Sequence, residues 1–544
     1  MFVEPRGQRS LNSPNQRVWV RRTFLPFVLV LVMGIVGCLL VLHCTSSGVS
    51  LAPDAYEYVG SANSVRQGRG LNIPYGPQGF RPLIKFPPLY PLVLASAGLA
   101  SRLETVDAAR WLQALVFGAN VFLVGFTLLN LTRDLPFSGF VSALGAYGLL
   151  SSEDMILIHI HVWSEGIYFL FFLLGMLLLT QYLSRPKPWL LLASSVLIAL
   201  AALSRYAGLS LIAAGLLSIL GYARLDRGRK ARAASLFFVL TSLPIAIWTW
   251  RNVSLAGTAS GRIFAYHPPG AGDFAQALAT ISQWLLPDRV DGLVRPLMAM
   301  TALVSLLALV TLILLGSGLT RTKANTMSRP RLTAAPYAFC FVAYSLLLLG
   351  NKAFLDYQTG FDARILSPLY LLSLILVAGF LYALLAPPYW PIRLLTGVAI
   401  LFLVSLSFAH GRKMVTRAHE GEFKGYASEQ WSQLPLMSQI QELPWDVPVF
   451  SNAPDAIYLV TGKPAMSVPA KFNPNSLLPN ASFGEEMQSM RNVMASQNGV
   501  LLYFREIEGW RRYLPGESEI QTLLVLVLRR DDREGALYRV SQGP

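Results

Sequence analysis

Apolar runs long enough to cross a bilayer recur along the chain at roughly 24–43, 111–131, 137–152, 164–183, 189–203, 207–222, 234–250, 297–317, 335–350, 366–386 and 394–410. About twenty apolar residues cross the hydrocarbon layer, so the pattern predicts a multi-span α-helical membrane protein of about eleven transmembrane helices. The runs 189–203 and 207–222 are short and meet at Ser204-Arg205-Tyr206, which predicts a hairpin ending inside a wet cavity. After residue 410 the period changes. Segments 448–452, 499–504, 523–528 and 536–540 read as strands, 483–497 reads as a helix, and a shorter helix from Asp455 is stopped by Gly462. The expected organisation is a basic N-terminus (1–23), a transmembrane region (24–410) with a long first loop (44–110), and a C-terminal extracytoplasmic α/β domain (411–544).

Composition agrees with a membrane chain. Hydrophobic residues make up 53% and charged residues 14% of the 544, and the mean hydropathy is +0.46, which excludes an ordinary soluble globular protein. The net charge of +15 does not imply a nucleic-acid partner, because many of the basic residues lie in short loops between apolar runs, where they set orientation. Arg6, Arg9, Arg17, Arg21 and Arg22 precede the first run. Arg185 and Lys187, then Arg224, Arg227, Arg229, Lys230 and Arg232, then Arg321, Lys323, Arg329 and Arg331 fall on the same side if all eleven runs span. That side is expected to be the cytoplasm, which leaves 44–110, 151–163, the turn at Arg205, 251–296, 351–365 and everything after 410 outside. Cys38, Cys44 and Cys340 lie in or beside apolar runs and read as buried thiols. Ile35-Val36-Gly37-Cys38 faintly resembles a lipoprotein cleavage box, but the apolar run is long and Val36 stands where a smaller residue is wanted, so the first run is read as a retained helix. No Walker loop and no strand followed by GxGxxG occurs, so use of cytoplasmic ATP is not evident.

The candidate chemistry gathers on the outer face. Asp54 opens an amphipathic stretch with Ala55, Tyr58, Val59, Ala62 and Val65 at helical spacing, closed by Gly68 and Gly70. Read locally, Asp54 and Glu57 form a capping-box pair; read functionally, a carboxylate here can take a proton from an acceptor hydroxyl. Lys85, in Lys85-Phe86-Pro87-Pro88-Leu89-Tyr90-Pro91, is an interfacial anchor on the bland reading and a phosphate holder on the other. Glu165, Arg205, Arg251, Asp356, Asp362 and Arg364 are expected at the same depth, and ionisable groups there must meet each other or face water, which predicts a polar cavity. His159 and His161 could bind a divalent metal if a carboxylate such as Asp54 or Glu153 came close; no metal ligand and no other cofactor is assigned.

The order of these parts resembles the C-type superfamily (GT-C) of membrane glycosyltransferases, which includes the aminoarabinose transferases of lipid A and the protein mannosyltransferases. The likeness rests on Asp54-x-x-x-Tyr58, Gly68-Arg69-Gly70, the Lys85–Pro91 segment, Ser164-Glu165, Ser204-Arg205, Trp250-Arg251-Asn252 and Asp362-Ala363-Arg364-Ile365-Leu366-Ser367-Pro368, and runs from about residue 20 to 410. It implies an inverting glycosyltransferase that moves a sugar from a polyprenyl-phosphate carrier to an acceptor (glycan, lipid or protein) on the periplasmic or exterior side of the cell membrane. By resemblance Asp54 is the general base. Lys85, Arg205, Arg251 and Arg364 neutralise the departing lipid phosphate, and Tyr58 and Glu165 complete the substrate-binding set. Ile84 stands where aminoarabinose transferases carry an acid, and Ala55 stands where protein mannosyltransferases carry a second one, so neither acceptor transfers to this chain. The alternative is a transporter or flippase for a lipid-linked glycan; its halves would be related, and no internal repeat is visible.

Overall fold

The computed structural model describes residues 14–541 except 78, 134–136, 223–224, 286–293, 317–328 and 386–389. Arg6, Arg9, Arg224, Arg321 and Lys323 lie outside the described residues. Among the described residues, seven helices are long and apolar enough to cross a membrane, or eight if the bent pair Ser138–Leu150 and Glu153–Ile160 is one broken span. The chain is a multi-pass membrane protein. Four further apolar helices are shorter: Leu89–Ser101, Pro188–Ser204, Tyr206–Tyr222 and Ala363–Val377.

The first span, Phe24–Cys44, packs against Thr105–Thr132 through glycines. A Cβ on Gly118 would lie 2.5 Å from the Gly34 carbonyl oxygen, and one on Gly34 would lie 2.8 Å from the Gly118 oxygen. Only hydrogen fits between the two backbones, as in close helix crossings within membranes. Gly118→Leu is therefore expected to force the pair apart and to cost about 1–3 kcal/mol, read as a lowered thermal midpoint in detergent.

Two sequence expectations are corrected here. Residues 153–160, expected to be part of a loop, form a helix whose N-cap Ser152 accepts a bond from the Met155 amide at 3.4 Å, with Glu153 and Asp154 in its first turn. The apolar run there is too short to signal a helix by itself. Leu523 and Leu524, expected in a strand, end the helix Glu517–Leu524 instead. Ile520 and Leu524 share a buried face, and Val525 takes a left-handed φ of 50°, so the strand starts at Leu526.

The long first loop holds the helix Ala55–Arg66 and a small hairpin, β1 (Asn72–Pro74) and β2 (Phe80–Pro82). Near the C-terminus five strands form a mixed sheet: β3 (Val449–Ser451), β4 (Met466–Ser467), β5 (Val500–Phe504), β6 (Leu526–Asp532) and β7 (Gly535–Val540), in the order β4-β3-β5-β7-β6. Strands β3, β4 and β5 run parallel, with helices Pro454–Thr461 and Phe483–Ser496 as crossovers, and β6–β7 is a hairpin antiparallel to β5. The apolar run of β5 is buried throughout, as a central strand covered on both faces must be. Its side chains divide with period two. Leu501 and Tyr503 face a core built with Met487, Met490 and Met494, whereas Val500, Leu502 and Phe504 face a core shared with Ala55, Tyr56, Tyr58, Val59 and Ala62. One face of the sheet is thus packed into the same core as the first-loop helix. Tyr458 stacks edge-on to Tyr56 at 5.3 Å, and its hydroxyl accepts a bond from Asn63 at 3.2 Å.

Candidate active site

The approach to Asp54 is fixed by backbone pairing before any side chain acts. Ser50 bonds to Ile160 and Val162 at 2.9 and 3.1 Å, while Leu51 bonds to Lys424 and Tyr426 at 3.0 and 2.9 Å. Residues 50–51 are thereby held between segments 160–162 and 424–426. Gly425, at φ 55°, permits this contact, since a Cβ there would lie 2.4 Å from the Leu51 oxygen. From that clamp the chain runs three residues to Asp54 on one side and three to Glu165 on the other.

Asp54 occupies the N-cap position of the Ala55–Arg66 helix but makes no side-chain capping bond. Glu57, the other half of the local capping-box reading, pairs with Arg81 at 3.4 Å. The Asp54 carboxylate instead lies between two cations: Oδ2 accepts from Arg364 at 2.7 Å and Oδ1 from Lys85 at 3.4 Å. Arg364 also bonds Glu165, which is paired in turn with Arg205 at 2.5 Å. Tyr58 and Arg205 both reach Ser164, at 3.0 and 3.3 Å. Local order places each group. Asp362 accepts from the Ile365 amide at 2.9 Å and caps the Ala363–Leu385 helix, putting Arg364 in its first turn, where the guanidinium lies 4.1 Å over the Trp163 ring. Arg205 is an extended residue between two short helices, Pro188–Ser204 and the turn Tyr206–Gly208. Lys85 precedes the two prolines, with its ammonium 4.8 Å over Phe86.

Six of the seven residues singled out from the sequence thus meet in one network: Asp54, Tyr58, Lys85, Glu165, Arg205 and Arg364. Arg251 stands apart. Its guanidinium bonds the Leu83 and Leu71 carbonyls at 2.5 and 3.4 Å and stacks on Trp248, fastening the hairpin loop. Sequence reasoning missed Arg262, which pairs with Asp356 at 3.1 Å. It lies on an irregular segment without an apolar period, so no pattern flagged it. Lys85, Arg205 and Arg262 line a cavity of about 140 Å³ with Tyr206, Tyr344 and Asn351. An apolar groove of about 280 Å³, lined by Phe274, Trp284, Leu306, Phe341 and Leu366, shares Leu348 with it.

In the ion network, Lys85, Arg205 and Arg364 face Asp54 and Glu165, so three positive charges meet two negative ones. The surplus charge suits an anionic ligand. Burial works to raise the Asp54 pKa, but Lys85 and Arg364 outweigh it and hold the carboxyl well below the usual carboxylate range. Burial pushes Lys85 toward the neutral amine, and Asp54 reverses this, so its pKa stands above the ordinary lysine value. Asp54 is consequently ionised throughout the neutral range. The stability its pairing supplies is fully present above the ordinary aspartate pKa and is lost as pH falls through the depressed one.

His159 and His161 are held structurally. Nδ1 of His159 donates to the Met155 carbonyl at 2.7 Å, leaving Nε2 to accept from Asn120 at 3.1 Å. His161 bonds the Leu157 carbonyl at 2.8 Å and stacks on Trp163. Among the described residues no three His, Cys, Asp or Glu side chains gather as a metal-binding group.

No family model matches the sequence, and no curated protein matches it. Solved structures do. The oligosaccharyltransferase of Archaeoglobus fulgidus, in complex with Zn and sulfate, superposes with a TM-score of 0.54 at 12% identity, over 94% of this chain and 73% of that one. The archaeal oligosaccharyltransferase AglB from the same organism, in complex with an inhibitory peptide and a dolichol-phosphate, gives 0.52 at 12% identity, over 96% and 75%. The arabinofuranosyltransferase AftD from Mycobacteria gives 0.53 at 13% identity, over 94% of this chain and 40% of that one. At such identities the likeness concerns architecture alone: the chain shares the fold of these solved transferases.

Proposed function

We propose that this protein is an inverting glycosyltransferase that moves a sugar from a polyprenyl-phosphate-linked donor to an acceptor at the extracytoplasmic face of the membrane. One observation carries the reading: the Asp54 carboxylate, freed from capping, is paired with Lys85, which lines a small polar cavity that shares Leu348 with an apolar groove. The groove suits an isoprenoid chain, and the cavity with Lys85, Arg205 and Arg262 suits its phosphate. AglB, of like fold, was solved with dolichol-phosphate, a ligand of this chemistry.

Transfer is a single displacement. The acceptor hydroxyl attacks the anomeric carbon, the bond from that carbon to the phosphate oxygen breaks, and the electron pair leaves with the lipid phosphate. Asp54 takes the hydroxyl proton. As the departing phosphate gains charge it competes for Lys85 and Arg364, which weakens their hold on Asp54 and raises its basicity when the proton arrives. Glu165 keeps Arg205 and Arg364 at fixed separation throughout, so no side chain has to reorganise.

Transfer of labelled sugar from a synthetic polyprenyl-phosphate donor by the purified protein tests the reading; absence of turnover with every such donor would overturn it. Lys85→Ala is expected to raise the donor KM about tenfold or more. It should also move the acid limb of kcat/KM upward, toward the ordinary carboxylate range, because one of the two cations depressing the Asp54 pKa is gone. A pH profile unchanged from the parent would detach Lys85 from Asp54.

A further inference from the structure

A second polar cavity, of about 260 Å³, opens at the other end of the bundle. The helix Glu165–Ser184 begins in the acid network and ends at this cavity, so its twenty residues set the two about 30 Å apart, the thickness of the hydrocarbon layer. Three cations line it: Arg133 after one span, and Arg185 and Lys187 in the short turn between two others. Trp189 stands beside them, and Leu131, Leu177 and Leu190 continue the wall as apolar surface. Basic and aromatic side chains above an aliphatic wall match the layering of a lipid headgroup over its chains.

Topology signals alone do not explain what lies at the bottom. Thr127 and Tyr337 are buried in the lining of the cavity with their hydroxyls within reach of each other, and among the described residues neither Thr127 Oγ1 nor the Tyr337 hydroxyl has a well-formed hydrogen bond to any other group. Buried hydroxyls are ordinarily fully satisfied, and a pair with no well-formed bond beyond each other, in a cavity lined by three cations, fits an acceptor-rich group that enters it. A basic loop that served only to orient the chain would need neither the hollow nor the hydroxyls.

We propose that this cavity binds the phosphate of an anionic phospholipid from the leaflet opposite Asp54. The cations take the charge, the two hydroxyls donate to phosphate oxygens, and the leucine wall receives the start of the acyl chains. The site is separate from the donor site, and the inference does not depend on the glycosyltransferase reading.

The full chain, reconstituted in vesicles of phosphatidylcholine and phosphatidylglycerol and then extracted, is expected to retain phosphatidylglycerol in native mass spectrometry. Arg185→Gln with Lys187→Gln should lower that retention about tenfold or more, since each cation near a headgroup contributes roughly fivefold. Tyr337→Phe, which removes one hydroxyl and nothing else, should lower it about fivefold at an unchanged thermal midpoint. Equal retention of phosphatidylcholine, or undiminished phosphatidylglycerol in the double variant, would overturn the proposal. Inorganic phosphate supplies the remaining arm. If it raises the thermal midpoint of the parent but not of the double variant, and no lipid is retained, the cavity takes a soluble phosphate and the lipid assignment fails.

Discussion

Asp54→Asn is expected to lower sugar transfer by about 10²–10⁴-fold while the protein still folds and inserts. The amide is isosteric, and its oxygen can still accept from Arg364 at the position where Oδ2 now lies at 2.7 Å. What disappears is the capacity to receive a proton from the acceptor. Donor binding should survive or tighten, because the variant leaves Lys85, Arg205 and Arg364 facing Glu165 alone and so increases the positive surplus. The measurement is single-turnover transfer at saturating donor, beside the affinity for the lipid phosphate itself. A variant that turned over within about tenfold of the parent, at equal donor affinity, would remove Asp54 from the reaction and leave it as a structural partner of Arg364.

Which parts of this arrangement were legible in the sequence follows from the range of each signal. Helices and strands write their periods locally, so Ala55–Arg66, Pro454–Thr461 with its Gly462 stop, and Phe483–Ser496 could be read within a residue or two. The short elements failed for the same reason: the Glu153–Ile160 helix has two turns and no full apolar period, and the Glu517–Leu524 helix runs directly into a strand of similar composition. Asp54 illustrates the limit for a site. Its local sequence describes a cap, and partners beyond that helix, Lys85 and above all Arg364, 310 positions away, turn the carboxylate elsewhere. Cost arguments located the cations, because charge at membrane depth demands partners, but they could not separate Arg251, which fastens a loop through backbone carbonyls, from Arg205, which faces the cavity. Arg262 carried no signal of either kind.

Substitution of Glu165 by alanine is expected to be the most damaging single change to stability. Its side chain is 1% exposed and is the shared partner of Arg205 and Arg364, both about one-fifth exposed. Removing it leaves two largely buried guanidinium groups with one carboxylate between them and Lys85, a loss of about 3–5 kcal/mol. Glu165→Gln should be milder, because the amide oxygen can still accept a bond from either arginine. The deficit is one of negative charge, so a phosphate anion placed in the adjacent cavity should replace part of what was lost. Polyprenyl phosphate is then expected to raise the thermal midpoint of Glu165→Ala more than that of the parent, in proportion to its tighter binding to the folded variant. If the alanine variant melts with the parent, the two arginines are held by something other than this carboxylate. If it melts early but gains nothing from polyprenyl phosphate, the cations beside it do not receive a lipid phosphate, and the donor site lies elsewhere.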